Sequence, residues 1–253
     1  MPSPISRLII EYDGTDFSGW ARQRGLRTVE DELERALAIV LRRDAVPLTV
    51  AGRTDAGVHA RAQVASYAGE PARSDSLNAL LPYDVAVLEC APAAPGFDAR
   101  RDATSRAYCY RVLTRRARSP HERRLALHWP HPIDGGALRR CADLVRGHHD
   151  FTAFTPTETD HVHFTREVMA ATWCPAGRPG LDVLEFWIEA DAFMRSMIRV
   201  LVGTMLEVAG GRRTVEQFAD LLEGRPRAHA GATAPPHGLH FLGAGYGGQV
   251  VIP

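Results

Sequence analysis

The chain has 253 residues, and its 30 basic and 30 acidic side chains give a formal net charge of zero at neutral pH. Overall charge therefore supplies no argument for nucleic-acid binding, and no run approaches the roughly 18 apolar residues of a transmembrane helix. Residues 1–7 lack the basic start and apolar core of a secretion signal, so we expect a cytoplasmic protein without a membrane partner. Four scattered cysteines without a Cys-x-x-Cys pair indicate reduced, mostly buried thiols.

In the first half of the chain, short apolar runs alternate with amphipathic segments. The first amphipathic segment begins at Thr28, because Asp31 follows three residues later as in a capping box. We predict strands near residues 5–12, 46–51, 62–68 and 84–91, helices near 29–43 and 74–81, and a linker at Pro92–Gly96. Six apolar residues of the first helix would face the core: Val29, Leu33, Ala36, Leu37, Val40 and Leu41.

A carboxylate in a glycine-containing connection lies between the second and third predicted strands. This string, Ala51–Ala60, places Asp55 close to Arg53 and is flanked by apolar runs. We expect Gly52 and Gly57 to adopt backbone angles that a side chain would forbid, and to let a substrate approach. Loops held by rigid elements often carry chemistry, and Asp55 could act as nucleophile, base or charge stabiliser, kept ionised by the arginine. A β-connection whose polar side chains bond their own backbone is the structural alternative.

The second half begins near residue 104 and again mixes strands with helices. Between Arg100 and Arg124 lie nine arginines and only two acids, and the whole chain contains no lysine. This local excess of positive charge, part of it on an exposed loop predicted at 115–132, is a candidate RNA-binding surface; a solvated face is the alternative. We predict strands near 107–113, 166–175, 181–191 and 239–252, helices near 135–146, 193–209 and from Thr214 onward, and a turn at 175–180.

Three residues of this half stand out from their surroundings. Tyr108 and Tyr110 lie two apart on a predicted strand and share one face, where most aromatic residues belong to the core. Arg199 lies in an apolar helix, where an arginine is almost never fully buried unless it is paired. Histidine pairs such as His148–His149 and His161–His163 lack the convergent ligands of a metal site, so we predict no metal. The structural partners considered for the arginine are Glu185, Glu189 and Asp191.

Five segments of the sequence resemble signatures of the TruA-type tRNA pseudouridine synthases. The most specific is the string around Asp55, which resembles the family's catalytic motif. The N-terminal segment departs from the family pattern at Ala21, where glutamine is usual, so one possible amide contact to RNA is missing. A hairpin turn with a packed tryptophan is the alternative for residues 12–20. The segments are Glu11–Gln23, Ala51–Ala60, the strand from Tyr108, Phe193–Gly203 and Gly231–Leu239, the last interpreted as scaffold.

The resemblance implies an α+β fold, the pseudouridine synthase fold, in which two ferredoxin-like halves share a continuous, mainly antiparallel sheet with helices on one side. The halves would be residues 1–98, which carry the catalytic loop, and residues 99–253. An active-site cleft would lie between them. The resemblance also implies a homodimer whose substrate is tRNA.

The resemblance further implies a role for each candidate residue. Asp55 is the catalytic residue, and Arg199 fixes its orientation and ionisation. Tyr108 stacks on the uracil. Arg53 would occupy the space that the extruded base leaves. Tyr110 is left as a structural residue.

The implied reaction converts uridines in the anticodon stem-loop (tRNA positions 38–40) to pseudouridine. The C1′–N1 bond breaks, the uracil turns and C5 joins C1′, without redox change or external energy, so neither a cofactor nor a metal is required. Asp55 could attack the sugar, attack the uracil ring or stabilise a cation at C1′. Two other functions stay open from the residues alone: a non-catalytic RNA-binding protein, and a carboxylate-based hydrolase such as a glycosidase, which usually requires a second carboxylate.

Overall fold

A computed structural model of the chain describes residues 4–159, 162–177, 180 and 182–252. Mainly antiparallel strands with helices between them confirm the predicted α+β class. The helices are α1 (Val29–Leu41), α2 (Ser74–Asn78), α3 (Gly135–Val145), α4 (Met197–Ala209) and α5 (Val215–Leu221). The strands are β1 (Ile5–Tyr12), β2 (Thr49–Val50), β3 (His59–Ala68), β4 (Val85–Ala93), β5 (Ala103–Leu113), β6 (Leu127–His128), β7 (Gly147–Asp150), β8 (Thr165–Pro175), β9 (Val183–Ala190) and β10 (Leu239–Tyr246).

The described residues belong to two compact units. The first consists of the residues up to Arg106 together with His240–Val251, and the second consists of Ala107–Leu239 and Ile252. These units differ from the halves proposed from the sequence mainly because most of β10 belongs to the first unit. The division into residues 1–98 and 99–253 stays a prediction.

The first unit contains the ferredoxin-like arrangement that the resemblance implied. Its elements follow the order β1-α1-β2-β3-α2-β4, and its neighbouring strands are β4, β1, β3 and β2. β1 pairs antiparallel with β3 and β4, and β2 pairs antiparallel with β3. β10 adds a parallel partner, since His240 and Phe241 pair with His59 and Ala60.

Burial in this unit follows the periods of its elements. Alternate residues of β1, including Leu8 and Ile10, are buried because successive strand side chains point to opposite faces. α1 begins at the predicted cap, where the Thr28 side chain accepts the N–H of Asp31. Two of the six apolar residues predicted for its inner face are only half-buried, and the other four are buried: Val29, Leu33, Ala36 and Leu37.

In the second unit, the neighbouring strands are β5, β9, β8 and β7. β7, β8 and β9 form antiparallel pairs, and the short β6 pairs in parallel with β5. α5 begins after Thr214, as predicted, with a capping box in which Oε1 of Gln217 accepts the Thr214 N–H. α3 contacts β8, α4 and α5, and four of its buried residues are Leu138, Cys141, Ala142 and Val145.

Three predicted boundaries are wrong for reasons of backbone geometry. α4 begins at Met197 rather than near residue 193, because Ser196 adopts a left-handed conformation with φ 60°. β10 ends at Tyr246, well before residue 252, because Gly247 and Gly248 turn the chain with φ of 62° and 81°. β3 begins at His59 rather than residue 62, so the end of the Asp55 string lies on a strand.

The segment 115–132 is only in part the exposed loop that the sequence predicted: most of residues 116–124 is exposed, but its second half is not a loop throughout. It contains β6, and Ala126 is buried in a cluster with Leu113 and Val183. Arg111, just before it, is 7% exposed and forms ion pairs with two carboxylates. The local charge excess counted from the sequence is therefore larger than the charge that reaches the surface.

All four cysteines are free thiols, as predicted, but only Cys109 and Cys141 are buried. The predicted turn at 175–180 and the predicted strand from 181 include Arg178, Pro179 and Leu181, which lie outside the described residues, as does His161. None of the helices in the described part of the chain has the length and apolar content needed to cross a membrane.

Candidate active site

The candidate carboxylate lies in the connection between β2 and β3. Residues 51–58 form this loop, which we call the Asp55 loop. Asp55 itself is half-buried, and Arg53 is exposed. The loop therefore presents a partly exposed aspartate and an exposed arginine two residues apart.

The N-terminal segment that resembles a family signature holds this loop by backbone contacts. The Trp20 N–H donates to the carbonyl of Thr54 at 3.0 Å, and the Gly57 N–H donates to the carbonyl of Phe17 at 3.3 Å. The side chains of Phe17 and Trp20 are both buried. They support the loop from within the unit, in agreement with the structural alternative of a packed tryptophan.

Glycine residues make this close packing possible. A Cβ on Gly14 would lie 2.0 Å from the carbonyl oxygen of Val58, so a larger residue would displace the loop. The Gly14 N–H also donates to Nδ1 of His59 at 3.1 Å. Gly57 has a φ of 76°, as the sequence led us to expect, whereas Gly52 has no positive φ and the expectation for it is wrong.

Buried polar side chains next to the loop form a network that the sequence did not reveal. Nε2 of Gln63 donates to the carbonyl of Gly52 at 2.8 Å and to the hydroxyl of Tyr12 at 3.3 Å. That hydroxyl lies 2.8 Å from Oγ1 of Thr54. Burial raises the pKa of Tyr12 to about 12, although its two hydrogen bonds lower it, so the phenol stays protonated at neutral pH. A glutamine within an apolar strand was the available signal.

Arg106 fixes the beginning of the loop. Its Nε donates to the carbonyl of Ala51 at 3.0 Å, and its other nitrogens donate to the carbonyls of Ala103 and Arg100 at 3.0 and 2.8 Å. In the sequence, this arginine is visible only as one member of a charge cluster. The number of charges in a segment does not indicate that one arginine binds backbone carbonyls.

In the second unit, Tyr108 lies on β5 and is almost fully buried. Its ring packs edge-on against Phe193, with ring centroids 5.2 Å apart. Tyr110 is also buried and donates its hydroxyl proton to the carbonyl of Pro235 at 2.8 Å. Burial raises the pKa of Tyr110, which the nearby Arg199 charge partly offsets. Tyr110 therefore anchors the turn before β10, which is a structural role.

Arg199 lies on the first turn of α4 and is half-buried. Its Nε donates to the carbonyl of Ala234 at 2.7 Å, and its own carbonyl accepts the Ala234 N–H at 3.0 Å. A Cβ on Gly203 would lie 1.8 Å from the carbonyl oxygen of Ala232, which shows how closely the helix and the turn approach. The turn before β10 is thus scaffold for Arg199.

The four predicted site residues fall into two sets. Asp55 and Arg53 share one loop of the first unit, while Tyr108 and Arg199 belong to the second unit. That Arg199 binds the catalytic carboxylate stays a prediction. Within the residues that the structure describes, no cluster of three or more His, Cys, Asp or Glu side chains could hold a metal ion.

Known proteins are similar to this sequence over nearly its full length. A family model described as tRNA pseudouridine synthase matches residues 141–247. The protein named tRNA pseudouridine synthase A from Thermus thermophilus is 42% identical over 254 residues, which cover 97% of this chain and 98% of that protein. The chain belongs to the tRNA pseudouridine synthase family. Proteins of the same name from Corynebacterium glutamicum and Geobacillus sp. are 41% and 38% identical and cover 95% and 92% of this chain, and 88% and 94% of those proteins is covered in turn.

Family membership makes the chain an isomerase that forms pseudouridine in tRNA. The resemblance inferred from the five segments is thereby confirmed. A pseudouridine synthase must detach and turn a base without losing it, so its reacting groups must be held in place while the base moves.

Proposed function

We propose that this pseudouridine synthase acts on the anticodon stem-loop (tRNA positions 38–40) and uses Asp55 as its catalytic residue. The supporting observation is that Asp55 is partly exposed on a loop whose backbone is held on both sides. A reacting group is effective when the residues around it lock its position in advance. The loop sequence also resembles the catalytic motif of the family.

The reaction balances within the substrate. The C1′–N1 bond breaks, the uracil turns and a C5–C1′ bond forms, while C5 loses a proton and N1 gains one. Asp55 attacks the sugar, attacks the uracil ring or stabilises a cation at C1′, and each route requires an ionised carboxylate. A hydrolase would instead release free uracil, and would usually require a second carboxylate across the scissile bond.

The test measures tritium release from C5 of uridine-labelled tRNA. Asp55→Ala and Asp55→Asn should lower the rate by about 10³-fold or more, as loss of a nucleophile does, while tRNA binding remains close to wild type. Asp44→Asn is the matched control, because Asp44 is an exposed aspartate outside the loop. Activity that survives in both Asp55 variants would refute the proposal. A wild-type protein that binds tRNA without releasing tritium would support the non-catalytic alternative, and free uracil would support the hydrolase.

Three further residues are proposed to contact the substrate or to orient Asp55. Base extrusion costs a few kcal/mol, and the exposed side chain of Arg53 would fill the space that the base leaves. Tyr108 would stack on the uracil, and Arg199 would orient the carboxylate of Asp55. Substituting Arg53 by Gln should lower the rate at saturating tRNA more than it weakens binding, because extrusion follows binding.

The arginine loop, residues 115–124, is proposed to contact the tRNA backbone. Arginine suits phosphate because its planar fork can form two parallel hydrogen bonds. Removing one phosphate contact should reduce the slope of log K against log salt by roughly 0.7–0.9, so the loop variants should weaken binding most at low salt. A slope equal to that of the wild type would contradict this role. The exposed arginines to be replaced by glutamine are Arg116, Arg118, Arg123 and Arg124.

The choice of uridines, the oligomeric state and the location are also proposals. Mapping pseudouridine in bulk tRNA with and without the protein tests the anticodon stem-loop directly. Light scattering after size exclusion tests the homodimer. Fractionation of cells that express the tagged chain tests the cytoplasmic location.

A further inference from the structure

Three buried polar side chains next to the Asp55 loop take no part in the chemistry proposed above. Tyr12, Gln63 and Thr54 are 3%, 0% and 6% exposed. They come from β1, β3 and the loop itself. We call these three residues the clamp network. Burial of polar groups is unfavourable unless they are hydrogen-bonded, so their arrangement requires an explanation.

The hydrogen bonds of Gln63 fix the orientation of its amide. The Gln63 amide has two N–H donors, and one binds the carbonyl of Gly52 while the other binds the hydroxyl of Tyr12. Its amide oxygen accepts the N–H of Val64 at 3.1 Å, so the amide cannot be flipped without losing bonds. The Tyr12 hydroxyl also shares a hydrogen bond with Oγ1 of Thr54, in which either hydroxyl can be the donor.

These bonds hold the loop on both sides of Arg53. Gln63 holds the carbonyl of Gly52, and Tyr12 holds the side chain of Thr54, which directly precedes Asp55. The backbone on the other side is held too, since the Val58 N–H donates to the carbonyl of Asp55 at 3.2 Å. The backbone that carries Asp55 is therefore held by contacts from within the first unit.

We infer that Tyr12 and Gln63 are positioning residues for pseudouridine formation: they act through Thr54 and Gly52 to hold the Asp55 carboxylate where it reacts. This inference rests on the proposed catalytic role of Asp55. A displacement of a reacting group by about 1 Å can lower a rate about 100-fold. Tyr12 is buried and acts through the loop rather than on the substrate.

Tyr12→Phe tests the inference, and Tyr67→Phe is its matched control. Tyr67 is also 3% exposed, and its hydroxyl likewise makes two strong hydrogen bonds, accepting the Ala72 N–H at 2.8 Å and donating to the carbonyl of Glu70 at 2.9 Å. Both variants lose a buried hydroxyl in the same unit. Only the first hydroxyl touches the Asp55 loop.

The measured quantities are the single-turnover rate at saturating tRNA, the tRNA affinity and the melting temperature. Tyr12→Phe should lower the rate about tenfold or more with affinity close to wild type, while Tyr67→Phe leaves both unchanged. Thr54→Val should lower the rate as Tyr12→Phe does, and Thr54→Ser should restore most of it by keeping the hydroxyl. The double variant Tyr12→Phe/Thr54→Val should be no slower than the slower single variant, since both remove one interaction.

Equal rates in Tyr12→Phe and Tyr67→Phe would overturn the positioning role, as would a loss of affinity without a loss of rate. Asp55→Asn is measured in the same series. If Asp55→Asn is inactive while Tyr12→Phe is as fast as its control, only the positioning inference fails. If Asp55→Asn retains activity, the proposed function of Asp55 fails, and the two outcomes cannot be confused.

Discussion

The two units hold their proposed RNA-contacting loops by different kinds of interaction. In the first unit, the Asp55 loop is held by the neutral clamp network, by backbone amides and by a hydrogen bond from Arg106 to the carbonyl of Ala51. In the second unit, the arginine loop is held by charge: Arg111 binds Glu122 at 2.7 Å and Glu185 at 3.2 Å, and all three side chains are largely buried. One loop therefore depends on hydrogen-bond geometry, and the other depends on the balance of buried charges.

This difference predicts how much stability is lost when a side chain that holds each loop is replaced. A neutral hydrogen bond contributes about 0.5–1.5 kcal/mol net, and its loss leaves an unsatisfied dipole. A buried ion pair adds little stability by itself, but removing one partner leaves a charge without compensation and costs about 3–5 kcal/mol. A neutral clamp also keeps the position of the loop that it holds independent of pH.

Removing the central cation of the second unit should have the largest effect on stability. Arg111→Met keeps the length of the side chain but leaves the carboxylates of Glu122 and Glu185 without their cation. We expect the free energy of unfolding to fall by about 3–5 kcal/mol in urea titrations. Arg7→Met is the control, because Arg7 pairs with Glu89 at 3.4 Å where the two side chains are 40% and 52% exposed.

The control should change stability by less than about 1 kcal/mol, since solvent screens an exposed pair. Adding Glu122→Gln and Glu185→Gln to Arg111→Met should recover part of the loss, because the uncompensated charges are then gone. An Arg111→Met variant as stable as Arg7→Met would contradict the contrast between the two loops.

Removing the amide of the clamp network should have a smaller effect. Gln63→Leu strands the carbonyl of Gly52 and removes one of the two hydrogen bonds of the Tyr12 hydroxyl, so we expect a loss of about 1–3 kcal/mol in the free energy of unfolding. The loss should be the same at about 50 and 500 mM salt, because the substitution removes no charge. A loss as large as that of Arg111→Met, or one that depends on salt, would contradict the contrast between the two loops.

Local signals in the sequence were enough to predict much of the fold. Thr28 and Thr214 predicted the beginnings of α1 and α5, because an N-cap is a short-range interaction. The ten-residue string located the Asp55 loop. The beginning of α4 was missed, because nothing in the residue type of Ser196 indicates a left-handed conformation.

Contacts between distant residues could not be predicted in the same way. Gln63 on β3 reaches Tyr12 on β1 next to the point where the register of the two strands shifts, between Ile10 and Tyr12. Arg111 and Glu185 lie on different strands, and their pairing depends on how the strands align. Arg111 was therefore counted with the surface charge, although it is buried.

The smallest expected effect is a difference between the two units in how the free energy of unfolding depends on pH. Glu207 on α4 accepts Nε–H of Arg213 at 2.6 Å and the N–H of Ala232 at 3.2 Å, and thereby holds the turn that also binds Arg199. Burial alone would raise the pKa of Glu207, but these bonds outweigh burial and hold the pKa below its ordinary value. The carboxylate therefore contributes stability above its unfolded pKa of about 4.3, and the contribution is lost as pH falls through the lower folded pKa.

Glu207→Gln should accordingly cost about 1 kcal/mol at neutral pH, a value reduced by the partial exposure of the pair to solvent. The cost should shrink as the pH is lowered below about 4, because the wild-type carboxylate then becomes neutral too. Urea unfolding of both proteins at several pH values measures this difference. For Gln63→Leu the cost should stay constant over the same range, since that amide does not titrate. A Glu207→Gln cost that is independent of pH would remove the electrostatic distinction between the two units.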